Sequence, residues 1–115
     1  WTFADYSLFL ISCLYDYYAA TGDKALVEEV YGVAKAQADI ISKRLDGDLQ
    51  SVADSTFIDW CPGLDKSCAL LGVFIYTLRQ LETLSSVLGK DWDEIAAEHK
   101  KRESELRSFY KRKRK

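Results

Sequence analysis

Residues 5–21 read DYSLFLISCLYDYYAAT, and residues 65–88 read DKSCALLGVFIYTLRQLETLSSVL. In the first, Leu8, Phe9, Leu10, Ile11, Leu14, Tyr15, Tyr17 and Tyr18 cover nearly the whole circumference of a helix. In the second, Ala69, Leu70, Leu71, Val73, Phe74, Ile75, Tyr76 and Leu78 leave almost no polar face over the leading half. Helices that are apolar all round need neighbours on most sides. The first is too short, and too polar at Ser7, Ser12 and Asp16, to span a bilayer, so no membrane partner is expected.

Each of these helices is followed by one of a different kind. Residues 23–45 place Leu26, Val30, Val33, Ala34, Ala38 and Ile41 near one stripe, with Asp23 as N-cap and Asp46-Gly47 as the expected stop. Residues 91–110 open with Asp91-Trp92-Asp93-Glu94, a capping-box pattern. Trp92, Ile95, Ala96, Leu106 and Phe109 form their stripe, and Glu98, Lys100, Lys101, Arg102 and Glu105 are assigned to the wet faces. The turns TGDK (21–24) and LGKD (88–91) close each pair.

The order buried, amphipathic, buried, amphipathic predicts an all-α chain of two consecutive helical hairpins, part of an (α/α) toroid or barrel. Hairpin 1 spans about 5–45, a rim loop about 46–64 and hairpin 2 about 65–110. Such αα-units stack so that neighbours bury their inner members. Two hairpins cannot enclose two helices that are apolar all round, so residues 1–115 read as a partial domain. The remainder of that domain is an expected partner, and self-association through exposed inner-helix faces is expected without it.

Composition narrows the function classes. One proline and six glycines in 115 residues, with 48% apolar and 30% charged side chains, exclude disordered, collagen-like and turn-rich all-β chains. Residues 1–110 carry 11 basic and 18 acidic side chains, a net −7, while Lys111 to Lys115 are all basic. An acidic body is a poor nucleic-acid partner, so none is expected, and the KRKRK run reads as a helix end or the start of a further element. Cys13, Cys61 and Cys68 form no CxxC, and His99 is the sole histidine, so no zinc ligand set is available. The cysteines read as small core or loop residues, with a Cys61–Cys68 disulfide left open. No phosphate-binding, dinucleotide-binding or nucleophile-elbow motif is present, and no cofactor or metal is expected. His99 reads as a surface residue. Localisation, whether periplasmic or otherwise extracytoplasmic or cytoplasmic, is left open.

In a ring of hairpins every outer-to-inner connection falls at one end. That end receives Trp1-Thr2-Phe3-Ala4-Asp5 and Phe57-Ile58-Asp59-Trp60-Cys61-Pro62-Gly63-Leu64-Asp65, both of which combine Trp with Asp. An indole face packs on the C–H surface of a sugar ring while a carboxylate accepts from its hydroxyls. The same residues also suit plainer roles: Asp5 and Asp65 as N-caps, Trp1 and Trp60 as plugs for the core ends. No pair of catalytic carboxylates can be named, because their separation is not a property of sequence.

These residues resemble the bacterial α-L-rhamnosidases, whose catalytic domain is a six-hairpin (α/α) barrel. The carriers are the approach from Trp1 to Asp5, YDYYAATGD (15–23), VYGVAK (30–35), FIDW (57–60) and LSSVLGKD (84–91), spread over most of residues 1–110. The resemblance implies inverting hydrolysis of terminal α-L-rhamnosides, with Asp5, Asp59, Trp60 and Trp1 as substrate-binding pocket or rim residues. The family's acidic cluster and its later Glu region have no counterpart here, so the chain is expected to be inactive alone. Two other readings stand beside this one: a self-contained four-helix protein-interaction module without catalysis, and an (α/α) barrel hydrolase of another sugar specificity.

Overall fold

A computed structural model describes residues 4–54 and 67–114, with side chains described over 7–47 and 69–108. It contains α1 (Ala4–Thr21), α2 (Lys24–Asp54), α3 (Ser67–Val87) and α4 (Asp93–Arg114), and no strand occurs among the described residues. No described helix is long and apolar enough to cross a membrane.

The two tight turns use glycine in the left-handed region, at φ 69° for Gly22 and 70° for Gly89. Only glycine enters that region without a Cβ penalty. The turns then differ. Gly22 donates to the Tyr18 carbonyl at 2.8 Å, a single bond closing α1. At the end of α3, Gly89 donates to Ser86 (3.1 Å) and Lys90 to Ser85 (2.9 Å), the paired closure of a Schellman motif. Asp23 caps α2 as expected, its Oδ1 accepting from the backbone N–H of Ala25 (3.1 Å) and Leu26 (3.3 Å). Asp91 accepts from the Asp93 N–H at 2.9 Å, whereas Glu94 turns outward to Lys35 instead of completing a capping box.

The centre of the bundle is α3, which packs against each of the other helices, while α1 and α2 pack on one another. Leu70, Phe74, Leu78, Leu81 and Leu84 of α3 meet Leu8, Ile11 and Leu14 of α1 and Ile95 of α4. From α2 come Val27, Tyr31, Ala34, Ala38, Ile41 and Leu45, spaced alternately four and three residues apart. Burying each large apolar side chain stabilises the fold by about 1.5–3 kcal/mol. One buried polar link crosses this core. Ser85 Oγ donates to the Leu81 carbonyl, so at the 2.6 Å contact with Tyr31 it is the tyrosine hydroxyl that donates.

Tyr31 meets Ser85 while Ala38 and Ser42 lie beside Leu78, so α2 runs antiparallel to α3. Phe9 and Ser12 lie beside residues 69–77 and Tyr15 beside residues 76–83, so α1 and α3 run parallel. α1 and α3 therefore run one way and α2 and α4 return; α3 is buried on most sides as the sequence pattern predicts, whereas α1 buries only Leu8, Ile11 and Leu14 among its described residues and does not show the all-round cover expected of it.

Three sequence expectations are corrected. The stop at Asp46-Gly47 does not occur: α2 continues to Asp54, so the first part of the expected rim loop is helix. Glycine inside a helix costs about 1 kcal/mol relative to alanine. Here the helix is held at that height by buried Leu45 and by ion pairs from Asp46 to Lys101 and Arg102. The α2 stripe is displaced, with Val33 exposed and Val27 and Tyr31 buried in its stead. Finally, Arg102, assigned to a wet face, is 1% exposed and is the largest fully buried side chain described.

Candidate functional site

The parallel arrangement of α1 and α3 brings their N-terminal turns to one end of the bundle, the end assigned to a rim. Asp5 lies in the first turn of α1, where a carboxylate is favoured by the helix dipole. The side chain of Asp5, together with Trp1, Asp59 and Trp60, lies outside the described residues, as do Cys61 and the loop that carries it.

Below that end, the seam between α1 and α3 is open on the side away from α2. An apolar recess of about 470 Å³ is walled by Phe9, Ser12, Gly72, Val73, Tyr76 and Thr77. A second, of about 300 Å³, continues along the helices between Tyr15, Tyr76, Arg79, Gln80 and Thr83. Phe9 is 46% exposed and Tyr76 59%. Ser12 Oγ donates to Gln80 Oε1 at 2.5 Å and ties the two helices together. Aromatic walls with a few polar anchors suit an amphipathic ligand such as a sugar. Among the described residues no carboxylate lines either recess. The described part of this seam can bind and orient but supplies no acid–base pair.

The seam between α2 and α4 is built from opposite materials. Its groove, about 560 Å³, has Ala38, Leu78 and Ile95 at its base and charged walls. Every guanidinium nitrogen of Arg102 is bonded there: Nε donates to Glu98 (3.1 Å), Nη1 to Glu105 (2.7 Å), and Nη2 to Asp46 (2.9 Å) and the Ser42 carbonyl (3.0 Å). Its guanidinium also lies 5.7 Å from the Phe74 ring centroid, within cation–π range. Ser42 Oγ donates to Glu98 as well. The hydrogen bond from Lys101, with one from Arg102 and the attraction of both charges, holds the Asp46 carboxyl below its ordinary value despite some desolvation. For Lys35, desolvation pulls the amine down, but Asp39 and Glu94 together outweigh it and raise it. These charges are spent on one another, and the arrangement is a polar clamp between helices.

His99 is also displaced from its expected surface position, with a side chain only 17% exposed. Its Nδ1 lies 3.0 Å from Glu82 on α3. Its Nε2 lies 2.5 Å from Glu103 Oε1, yet out of alignment for a hydrogen bond. No group of three metal-donor side chains converges among the described residues. At the α1–α2 turn, the Tyr17 hydroxyl donates to Asp23 at 2.9 Å. That bond lowers the Asp23 carboxyl, with help from the Leu26 and Ala25 amides, and raises the Tyr17 phenol.

A signal for Arg102 and His99 was present in the sequence. Trp92, Ile95, Leu106 and Phe109 belong to a register that passes through 99 and 102, so both polar residues sit on the apolar stripe of α4.

A family model described as the bacterial alpha-L-rhamnosidase 6 hairpin glycosidase domain matches residues 3–113. No curated protein and no solved structure matches the chain.

Proposed function

Since the chain belongs to the bacterial α-L-rhamnosidase six-hairpin glycosidase domain family, we propose that it is part of a glycoside hydrolase that removes terminal α-L-rhamnosyl groups by inversion. The family match carries this reading. The two described hairpins, with α1 and α3 parallel, are in keeping with two of the family's six.

In this reading the chain contributes part of the pocket wall and rim. Trp60 and Trp1 offer indole faces to the C–H surface and methyl group of the 6-deoxy sugar, and Asp5 and Asp59 accept hydrogen bonds from its hydroxyls. The remaining hairpins supply the general acid and the general base. Inversion requires those two carboxyls roughly 6.5–9.5 Å apart, with a water between base and anomeric carbon.

The test begins with the encoding gene on both sides of this segment, read for further hairpins and an acidic cluster. In a polypeptide containing them, Trp60→Ala and Asp59→Ala are expected to lower kcat/KM for an aryl α-L-rhamnoside by about tenfold or more, corresponding to loss of at least one good contact. The 115-residue chain alone is expected to show no turnover. Turnover by the chain alone would overturn the division of roles. Flanks with stop and start signals and no hairpins would leave the four-helix interaction module as the better reading.

A further inference from the structure

The side of α2 turned away from the core carries a second pattern. Glu29, Val33, Ala36, Ile40 and Arg44 recur at spacings of four, three, four and four residues, so they share one stripe of the helix. All five are exposed, Val33 at 53% and Ile40 at 50%. The buried stripe of the same helix, from Val27 to Leu45, lies roughly 140° further round at 3.6 residues per turn. The outer stripe is therefore no edge of the core.

Its layout is complementary to itself. An acid stands at the N-terminal end and a base at the C-terminal end, and the two large apolar residues are placed evenly about the gap between Ala36 and Gln37. A two-fold axis through that gap, with the helices antiparallel, sets Val33 against the partner's Ile40 and Glu29 against the partner's Arg44, and each contact occurs twice. A parallel pair would instead set acid against acid and base against base. Glu29 and Arg44 enter no ion pair among the described residues, whereas nearby Glu28 is taken by Lys90 at 3.3 Å and Lys35 by Asp39 at 3.2 Å. Gly32, exposed next to Val33 and one turn before Ala36, adds a further sign. A Cβ built there would meet nothing within 4 Å, so packing inside the chain does not require its smallness. Glycine is a poor choice for a helix interior, and beside alanine it lets a second backbone approach closely.

We propose that α2 pairs with α2 of a second copy of this chain, antiparallel across a two-fold axis beside Ala36 and Gln37. The interface is isologous, the same stripe serving both partners. From 29 to 44 the stripe is about 22 Å long at 1.5 Å per residue. One helix laid on one helix over that length falls at the small end of specific interfaces, so the dimer is reversible, with a Kd on the order of tens of micromolar. The contact uses a face other than the α1–α3 seam and stands independently of the glycosidase reading.

Sedimentation equilibrium of the 115-residue chain, from micromolar to submillimolar concentration, tests it. A monomer–dimer equilibrium is expected. Ile40→Glu is expected to weaken it by about tenfold or more while helicity and Tm are kept, because the side chain is half exposed. Glu29→Arg and Arg44→Glu are each expected to weaken it several-fold, since each sets like charges together. Mixing these two variants is expected to restore dimers, as heterodimers in which both acid–base contacts reappear. If Ile40→Glu fails to fold, the charge variants and their mixture carry the test. A monomer at every concentration, unchanged association in folded Ile40→Glu, or no recovery in the mixture overturns the proposal. Association lost in Tyr76→Ser but kept in Ile40→Glu overturns it too, and assigns the contact to the α1–α3 seam.

Discussion

The two seams of this bundle invert the usual assignment of residue types. Between α1 and α3, aromatic side chains such as Phe9 and Tyr76 stand in the open. Between α2 and α4, an arginine is buried among three carboxylates. The difference shows that residue polarity alone does not say which surface is finished. The polar seam is closed because every guanidinium nitrogen of Arg102 finds an acceptor, and a buried charge costs most when left unpaired. The apolar seam stays open at Tyr76, which is 59% exposed.

The largest way to break that contrast is Arg102→Ala. Removing one partner of a buried charge cluster leaves the others uncompensated, and an expected loss of about 3 kcal/mol is read by urea denaturation. The partly exposed carboxylates keep the effect at the lower end of the range. Arg102→Met fills the same space without charge and is expected to cost less. Equal losses for the two would mean that packing alone holds this seam.

Next in size is the buried link inside the core. Tyr31→Phe leaves Ser85 with one partner fewer and is expected to cost about 1 kcal/mol, measured in the same way. Asp23→Ala removes the cap of α2 together with the Tyr17 contact, at about 1 kcal/mol as well.

Acid sharpens the comparison from another side. Asp46 titrates below its ordinary value of 3.8 in the folded chain because Lys101 and Arg102 donate to it. Its contribution is thus fully present above that ordinary value and is lost as pH falls through the lower folded one. Melting temperature is expected to drop between pH 5 and pH 2, and Asp46→Asn is expected to flatten part of the drop. An unchanged pH profile in that variant would detach Asp46 from the clamp.

The smallest effect belongs to the open seam. Tyr76→Ser is expected to change stability by less than about 0.5 kcal/mol, since the ring is mostly exposed, while reducing the binding of an apolar dye. A loss above 1 kcal/mol would show that the seam is covered within the chain.

The helix order, the two glycine turns, the burial of α3 and the capping by Asp23 were legible in the sequence, because each depends on local periodicity or turn chemistry, whereas the all-round cover read for α1 was not found. The continuation of α2 through Gly47 was not, since a tertiary clamp two elements away outweighs a local helix breaker. Arg102 and His99 were misassigned by residue type although their spacing placed them on the stripe of α4. Of the rim, only the first turn of α1, which carries Asp5, is described, and Trp1, Asp59 and Trp60 rest on sequence and resemblance.

Cys13 has a free thiol, is exposed, and stands one helical turn from both Phe9 and Tyr17 on α1. It marks the exposed back of α1, outside the residues that line the α1–α3 recesses. In a background where Cys61 and Cys68 are serine, its alkylation rate reports the occupancy of this face: rapid while the face is bare, slow once another surface closes over it.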